Sequence, residues 1–154
     1  METLLRHTLA TLSYRLGKVL RDAPAEFGNY QAGQGRRTPV QILAHIGDLM
    51  DWAGTMVEGQ PEWHNATPQS WPQEVQRFFA AIQKLETAIV AKGITAEAAN
   101  RLFQGPISDA LTHTGQLSML RGLAGSPVKG ENYFMAEIAA GRVGPDQAKP
   151  HKEF

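Results

Sequence analysis

Apolar residues recur at intervals of three and four in four separate stretches of the chain, and this spacing constrains the fold more than any other feature. Such spacing lines up one apolar stripe along an α-helix. The stripes predict helices over residues 2–22, 38–58, 72–91 and 106–124, with prolines or glycines near their ends. No stretch alternates apolar and polar residues as a half-buried strand does. We therefore predict an all-α protein, a four-helix bundle whose longer connections leave room for a crossover.

The length of 154 residues suits one domain with a single substantial core. We take residues 1–154 as that domain and expect residues 128–154 to form a tail that wraps the bundle. Residues 94–103 could add a short helix or a connector, and residues 132–141 could form a short fifth helix. Glu131 and Tyr133 are the polar side chains of the tail that could reach a cavity.

The composition argues against several classes of function. Fifteen basic residues balance fifteen acidic ones, whereas binding to nucleic-acid phosphates needs an excess of basic charge. The absence of cysteine excludes disulfides, thiolate metal sites and a cysteine nucleophile. The N-terminal stretch carries charges throughout, so it does not look like a secretory signal. No run approaches 18 apolar residues, the length of a membrane span. We expect a cytoplasmic protein without nucleic-acid or membrane partners.

Three side chains that can bind a metal ion flank two of the predicted stripes. His45 lies three residues after Ile42 and four before Leu49, so it borders the stripe of the second helix. Asp109 and His113 are four residues apart and point the same way from the fourth helix. Helical bundles build metal sites from such inward-facing groups. Imidazole and carboxylate ligands suit a divalent ion such as Zn, Ni, Fe or Mn, and three protein ligands leave positions open for water or substrate.

A structural interpretation of the same residues stays open. A histidine beside an apolar stripe is often hydrogen-bonded within the fold, and Asp109 near a helix start could cap the helix amides. The metal interpretation instead requires the three ligating atoms to lie within about 4 Å of one another. Gln116, three residues after His113, could support the site from outside the ligand set or tie its helix to a neighbour.

The stretches "TPVQILAHIGDLMDW" and "LTHTGQLSMLRGLAG" resemble the DinB-like superfamily, and the resemblance covers most of the chain. It implies a four-helix bundle with a crossover connection, often dimeric. It also implies a divalent metal bound by one histidine of the second helix and by an H-x-x-x-H pair of the fourth, followed by x-G-Q. His45 matches the first ligand and His113 the last. Asp109 stands where the family pattern has the middle histidine, a departure that keeps a metal-binding side chain.

Relatives in this superfamily include transferases and an isomerase that use low-molecular-weight thiols such as bacillithiol, mycothiol or glutathione. The resemblance therefore implies a metal-dependent enzyme that acts on a small-molecule substrate, either a thiol transferase or a hydrolase. Because the chain has no cysteine, its nucleophile would arrive with the cosubstrate or be water. The alternative is a non-enzymatic stress-response or binding bundle whose metal site is structural or vestigial. The resemblance also predicts a homodimer, and we expect the aromatic residues Trp63 and Trp71 to contribute to its interface.

Overall fold

The computed structural model describes residues 2–154 of the chain. Its α-helices are α1 (Glu2–Leu20), α2 (Pro39–Val57), α3 (Trp71–Lys92), α4 (Ala96–Leu102) and α5 (Ser108–Leu123). Four of them are long, α4 is short, and the described part of the chain contains no β-strand. The prediction of an all-α fold is confirmed. No helix between residues 2 and 154 is long and apolar enough to cross a membrane.

The starts of α2 and α3 lie within a residue of the predicted positions, because both carry the same local signal. Thr38 precedes α2, and its backbone N–H donates to the side chain of Gln41 at 2.9 Å. Ser70 precedes α3 and donates in the same way to Gln73 at 3.2 Å. Each helix also has a proline in its first turn, where the missing N–H costs no helical hydrogen bond.

The helices α4 and α5 belong to one continuous helical segment. Residues Phe103–Ile107 between them form a π-helical turn, and the residues that flank it keep right-handed helical dihedrals. The segment starts at Thr95, whose side chain accepts the N–H of Ala98 at 3.2 Å. The predicted helix start near Pro106 is therefore wrong. Pro106 lies inside the segment because the looser hydrogen bonding of a π turn accommodates a residue that has no N–H.

The four long helices surround one apolar core. α1 packs against α3 and α5, and α2 packs against the same two helices. The largest fully buried side chains come from every α-helix but the last and from the π turn: Leu9, Leu12, Leu16, Leu43, Ile46, Met50, Phe78, Ile82, Leu85, Ile89, Leu102 and Ile107. Burial of such apolar surface, at roughly 25 cal/mol per Å², is the main source of stability. This packing places α2 beside α5, so side chains on their facing sides can meet.

A buried charge network ties α2 to α3. The guanidinium of Arg77 donates to Glu74 at 2.8 Å, to Asp48 at 3.0 Å and to the backbone carbonyl of Ala44 at 2.5 Å. The guanidinium lies so close to α2 that a Cβ at Gly47 would stand 2.7 Å from its central carbon. Glycine at this position therefore allows the contact. Ala44, whose carbonyl accepts from Arg77, is the residue before His45. The network therefore fixes the rotation of α2 at the position of His45.

The C-terminal segment lies against α1. The buried amine of Lys18 donates to Glu131 at 2.7 Å and to Glu153 at 2.8 Å, and the hydroxyl of Tyr14 donates to Glu131 at 2.6 Å. Glu131 and Glu153 also form an isolated antiparallel backbone bridge. Glu131 is thus committed to α1 and does not line a cavity near the histidines. The aromatic ring of Tyr133 lies under the guanidinium of Arg15, 4.2 Å from it, and so also faces α1.

The fifth helix considered for residues 132–141 does not form. This stretch contains only a 3₁₀ turn, Tyr133–Met135. The side chain of Asn132 accepts the N–H of Phe134 at 3.2 Å, which offers the backbone a local alternative to a helical hydrogen bond.

Candidate metal centre

His45 on α2 and the pair Asp109 and His113 on α5 converge at one point. Each residue offers one ligand atom, and these atoms all lie within 4.8 Å of one another. Asp109 stands between the two rings, with Oδ2 3.4 Å from Nε2 of His45 and Oδ1 3.5 Å from Nε2 of His113. The two imidazoles are nearly perpendicular, with ring centroids 4.9 Å apart. The group could hold a metal ion.

The spacing of the ligand atoms is slightly wider than a bound ion requires. Two ligand atoms that each lie about 2.1 Å from an ion are separated by roughly 3.4 Å in a tetrahedral site and by at most about 4.2 Å. The two contacts of Asp109 with the histidines fall within this range. The widest separation, 4.8 Å, exceeds both this limit and the value of about 4 Å expected from the sequence. A side-chain rotation that brings the two most distant ligand atoms about 1 Å closer together would allow all three to bind one ion.

The capping interpretation of Asp109 is wrong. The helical segment begins at Thr95, far upstream, so the amides around Asp109 are not at a free helix end. The carboxylate of Asp109 contacts the two imidazoles instead. Both histidines contact side chains, His45 that of Asp109 and His113 that of Gln116.

Gln116 orients one of the candidate ligands. Its side-chain oxygen lies 2.7 Å from Nδ1 of His113. An amide oxygen can only accept, so in this arrangement Nδ1 carries the proton and donates. The lone pair of His113 is then on Nε2, the nitrogen that faces Asp109. A hydrogen bond from the far nitrogen is the usual way in which proteins fix the tautomer and the ring angle of a metal-binding histidine.

The surroundings of His45 favour its neutral imidazole, the form that binds metal. The side chains of His45 and His113 are 21% and 13% exposed, whereas that of Asp109 is 47% exposed. Burial lowers the pKa of His45 below its usual value, and this effect outweighs the hydrogen bond from the imidazole to the Asp109 carboxylate, which acts in the opposite direction. The charge interactions of His45 with its neighbours His113 and Arg37 lower its pKa further.

Aromatic rings cover one side of His45. The ring of Trp63, from the loop after α2, stands edge-on to the imidazole with centroids 5.7 Å apart, and Trp52 stands edge-on to Trp63 at 5.5 Å. The neighbouring His64 points away, with a side chain that is 70% exposed. The expectation that Trp71 contributes to a dimer interface is wrong for the protein as folded, because Trp71 is only 5% exposed and packs in the core.

Two cavities flank the cluster. The larger, of about 590 Å³, is lined by His113 and Gln116 and by two arginines of the loop before α2, Arg36 and Arg37. The smaller, of about 460 Å³, lies on the side of Asp109. The arginines were not among the residues that the sequence singled out. Their loop has no hydrophobic periodicity, and the one sequence signal that could have identified them is their position directly before Thr38, the N-cap of α2.

No protein-family model, no curated protein and no solved structure matches the chain. The chemistry of the centre therefore has to be inferred from its own residues. They comprise two imidazoles, one half-exposed carboxylate, a glutamine that orients one imidazole, and open space on two sides. Such a set can bind a divalent ion through three protein ligands and leave positions for exchangeable ones.

Proposed function

We propose that His45, Asp109 and His113 bind one divalent metal ion at which the protein carries out thiol-dependent transfer or hydrolysis of a small molecule. The observation that carries the proposal is the convergence of the three side chains, from two helices, within 4.8 Å and beside open cavities. An ion-free structural role would not require two imidazoles to face one carboxylate in this way.

The donor set supports Zn, Ni, Fe or Mn as the ion. Imidazole nitrogens suit Zn, Ni and Fe, a carboxylate oxygen also suits Mn, and the lack of thiolates argues against softer ions. Three protein ligands also correspond to a catalytic site, because a structural zinc site has four.

The order of the helices supports the resemblance to the DinB-like superfamily. Because α1 and α2 both pack against α3 and α5, they occupy opposite corners of the bundle. A chain that runs from α1 to α2 then crosses the bundle, which is the connection that the resemblance implies. The positions of His45 and His113 on the second and last long helices agree with the same pattern.

The residues around the centre suggest how the chain would contribute to the reaction. A bound ion acts as a Lewis acid that lowers the pKa of a thiol or a water molecule beside it. Gln116 keeps Nε2 of His113 available, and the ring of Trp63 covers one side of His45. Since the chain contains no cysteine, a sulfur nucleophile has to come from the cosubstrate.

We also propose that the protein is a homodimer. The resemblance implies this, and the exposed ring of Trp63, which lies outside the larger cavity, agrees with it. Aromatic side chains are enriched in protein interfaces. Sedimentation at micromolar concentration would reveal the dimer, and a monomer there would contradict the proposal.

Elemental analysis of the protein purified without a histidine tag tests the metal site. We expect about one ion per chain, lost in His113→Ala but retained in His64→Ala, whose imidazole lies outside the cluster. A screen with glutathione and an electrophile such as 1-chloro-2,4-dinitrobenzene then tests catalysis. Equal metal content in the two variants would refute the site. An ion that binds but supports no reaction with any thiol or ester would favour the non-enzymatic alternative.

A further inference from the structure

The larger cavity runs along α5 away from the metal cluster. His113, Gln116, Leu120 and Leu123 line it and follow one another at intervals of three and four, so they form one face of the helix. On α2 the cavity is lined by Ile42, one turn before His45. The cavity therefore extends from the cluster towards the beginning of α2.

Arg36 and Arg37 line this cavity just before the beginning of α2. They precede His45 by nine and eight residues. At 1.5 Å per helical residue, the beginning of α2 at Pro39 lies about 9 Å from His45. The wall between the two ends is mainly apolar, formed by Ile42 and Leu120 with their neighbours. The cavity thus combines a metal-binding end, an apolar middle and an arginine end.

The arginine end has positive charge that the protein does not neutralise. Both side chains are exposed, and neither forms an ion pair with any residue from 2 to 154. No acidic residue lines the larger cavity, and Asp109 lines the smaller one. The chain as a whole has no net charge, so this excess is local to the cavity. A guanidinium keeps its charge at any physiological pH and can bind a carboxylate through two parallel hydrogen bonds.

We infer that the larger cavity selects a thiol cosubstrate that carries a carboxylate, with sulfur at the His113 end and the carboxylate at Arg36 and Arg37. This inference rests on the proposed function, because it assumes that sulfur approaches a metal ion at the cluster. The distance of about 9 Å between the beginning of α2 and His45 favours a carboxylate several bonds away from sulfur rather than one directly beside it. The smaller cavity on the Asp109 side leaves space for the second reactant.

Binding of simple thiols to the cobalt-loaded protein tests the inference without any assay of turnover. A thiolate that binds Co²⁺ gives a charge-transfer absorption band, which reports the dissociation constant directly. The probes are 6-mercaptohexanoate and 6-mercaptohexan-1-ol, which have the same length and differ in charge. We expect the carboxylate to bind about tenfold more tightly, as a charge-assisted contact with arginine would give, and the preference to shrink at high salt.

The double variant Arg36→Gln/Arg37→Gln should remove this preference and leave the affinity for the alcohol unchanged. The control is Arg101→Gln/Arg142→Gln, which removes two exposed arginines outside the cavity lining and should keep the preference. Equal affinities for the two thiols in the wild-type protein, or a preference that survives in the Arg36 and Arg37 variant, would overturn the inference alone. Absence of the band with both thiols would overturn the thiol-dependent form of the proposed function, and this inference with it.

Discussion

Nε2 of His45 on α2 lies 3.4 Å from Oδ2 of Asp109 on α5, so two helices that are distant in sequence meet at one pair of polar side chains. In most bundle cores such a meeting point would be apolar. A metal ion bound here would join α2 to α5 directly. Metal binding should therefore appear as added stability of the whole bundle, because any ligand that binds only the folded state stabilises it.

Replacement of His113 by alanine should separate metal binding from folding. At a metal concentration of 100 times the dissociation constant, the wild-type protein should gain about 2.7 kcal/mol in its free energy of unfolding. His113→Ala should lose this gain, because two ligands remain, yet still unfold cooperatively without metal. Calorimetry with and without Zn²⁺ measures both quantities. His64→Ala is the control, since His64 lies outside the cluster and its side chain is 70% exposed. A metal-dependent gain that persists in His113→Ala would contradict the assignment.

Gln116→Ala should weaken metal binding although it removes no ligand. The side-chain oxygen of Gln116 holds the proton on Nδ1 of His113, and loss of such an orienting contact typically lowers metal affinity by about 10- to 100-fold. Competition with a chromogenic chelator measures the change. Gln76→Ala, at an exposed position of α3, serves as the control. If both variants bind metal as tightly as the wild type, Gln116 does not orient the ligand.

Arg77→Ala should destabilise the fold by about 3 kcal/mol or more, because it leaves the fully buried carboxylate of Glu74 without its partner. Chemical denaturation measures the loss. Arg101→Ala breaks an exposed pair with Glu97 on α4 and should change stability by less than about 1 kcal/mol. The double variant Glu74→Gln/Arg77→Met should recover part of the loss, since it removes the unpaired charge. A loss in Arg77→Ala no larger than in Arg101→Ala would show that the network does not contribute.

The attachment of the C-terminal tail should weaken in acid. The hydrogen bond and charge of Lys18 hold the pKa of Glu153 below its usual value. A carboxyl group with a depressed folded pKa contributes stability above its unfolded pKa of about 4.3, and this contribution disappears as the pH falls through the folded pKa. Glu153→Gln should therefore be less stable than the wild type at pH 7 and indistinguishable from it at low pH.

Denaturation at several pH values from 7 to 3 follows this difference. The control Glu137→Gln changes an exposed carboxyl of the same tail and should match the wild type throughout. A stability difference for Glu153→Gln that stays constant with pH would show that the ionised carboxylate is not the cause.

The fold was predictable from the sequence wherever the signal is local. Thr38 and Ser70 each form a capping box with a glutamine three residues later, which marks the start of a helix. The apolar stripes predict the buried faces. The continuity of α4 and α5 was not predictable, because a proline in the first turn of a helix and a proline inside a π turn have the same local sequence pattern. The pattern around Pro106 therefore predicts a helix start, whereas Pro106 lies within the helical segment.

The candidate site was predictable in part for the same reason. The spacing of Asp109 and His113 places both on one helix face, and that is a local property. The distance of His45 from Asp109 and His113 depends on how α2 packs against α5, and periodicity carries no information about this packing. The prediction that His45 joins the site comes from the family resemblance. Arg36 and Trp63 lie in loops, where the position of a side chain depends on contacts that no sequence pattern encodes.

The π turn has a consequence for how the chain can vary. Each helical residue advances the direction of the side chains by about 100°, so the number of residues in Phe103–Ile107 sets the angular phase between α4 and α5. A chain one residue shorter in this turn could keep the buried face of α4 in the core or keep Asp109 and His113 aligned with His45, but not both. Substitutions at the exposed positions of the turn, Phe103 and Gln104, should therefore be tolerated far better than the deletion of a residue from it.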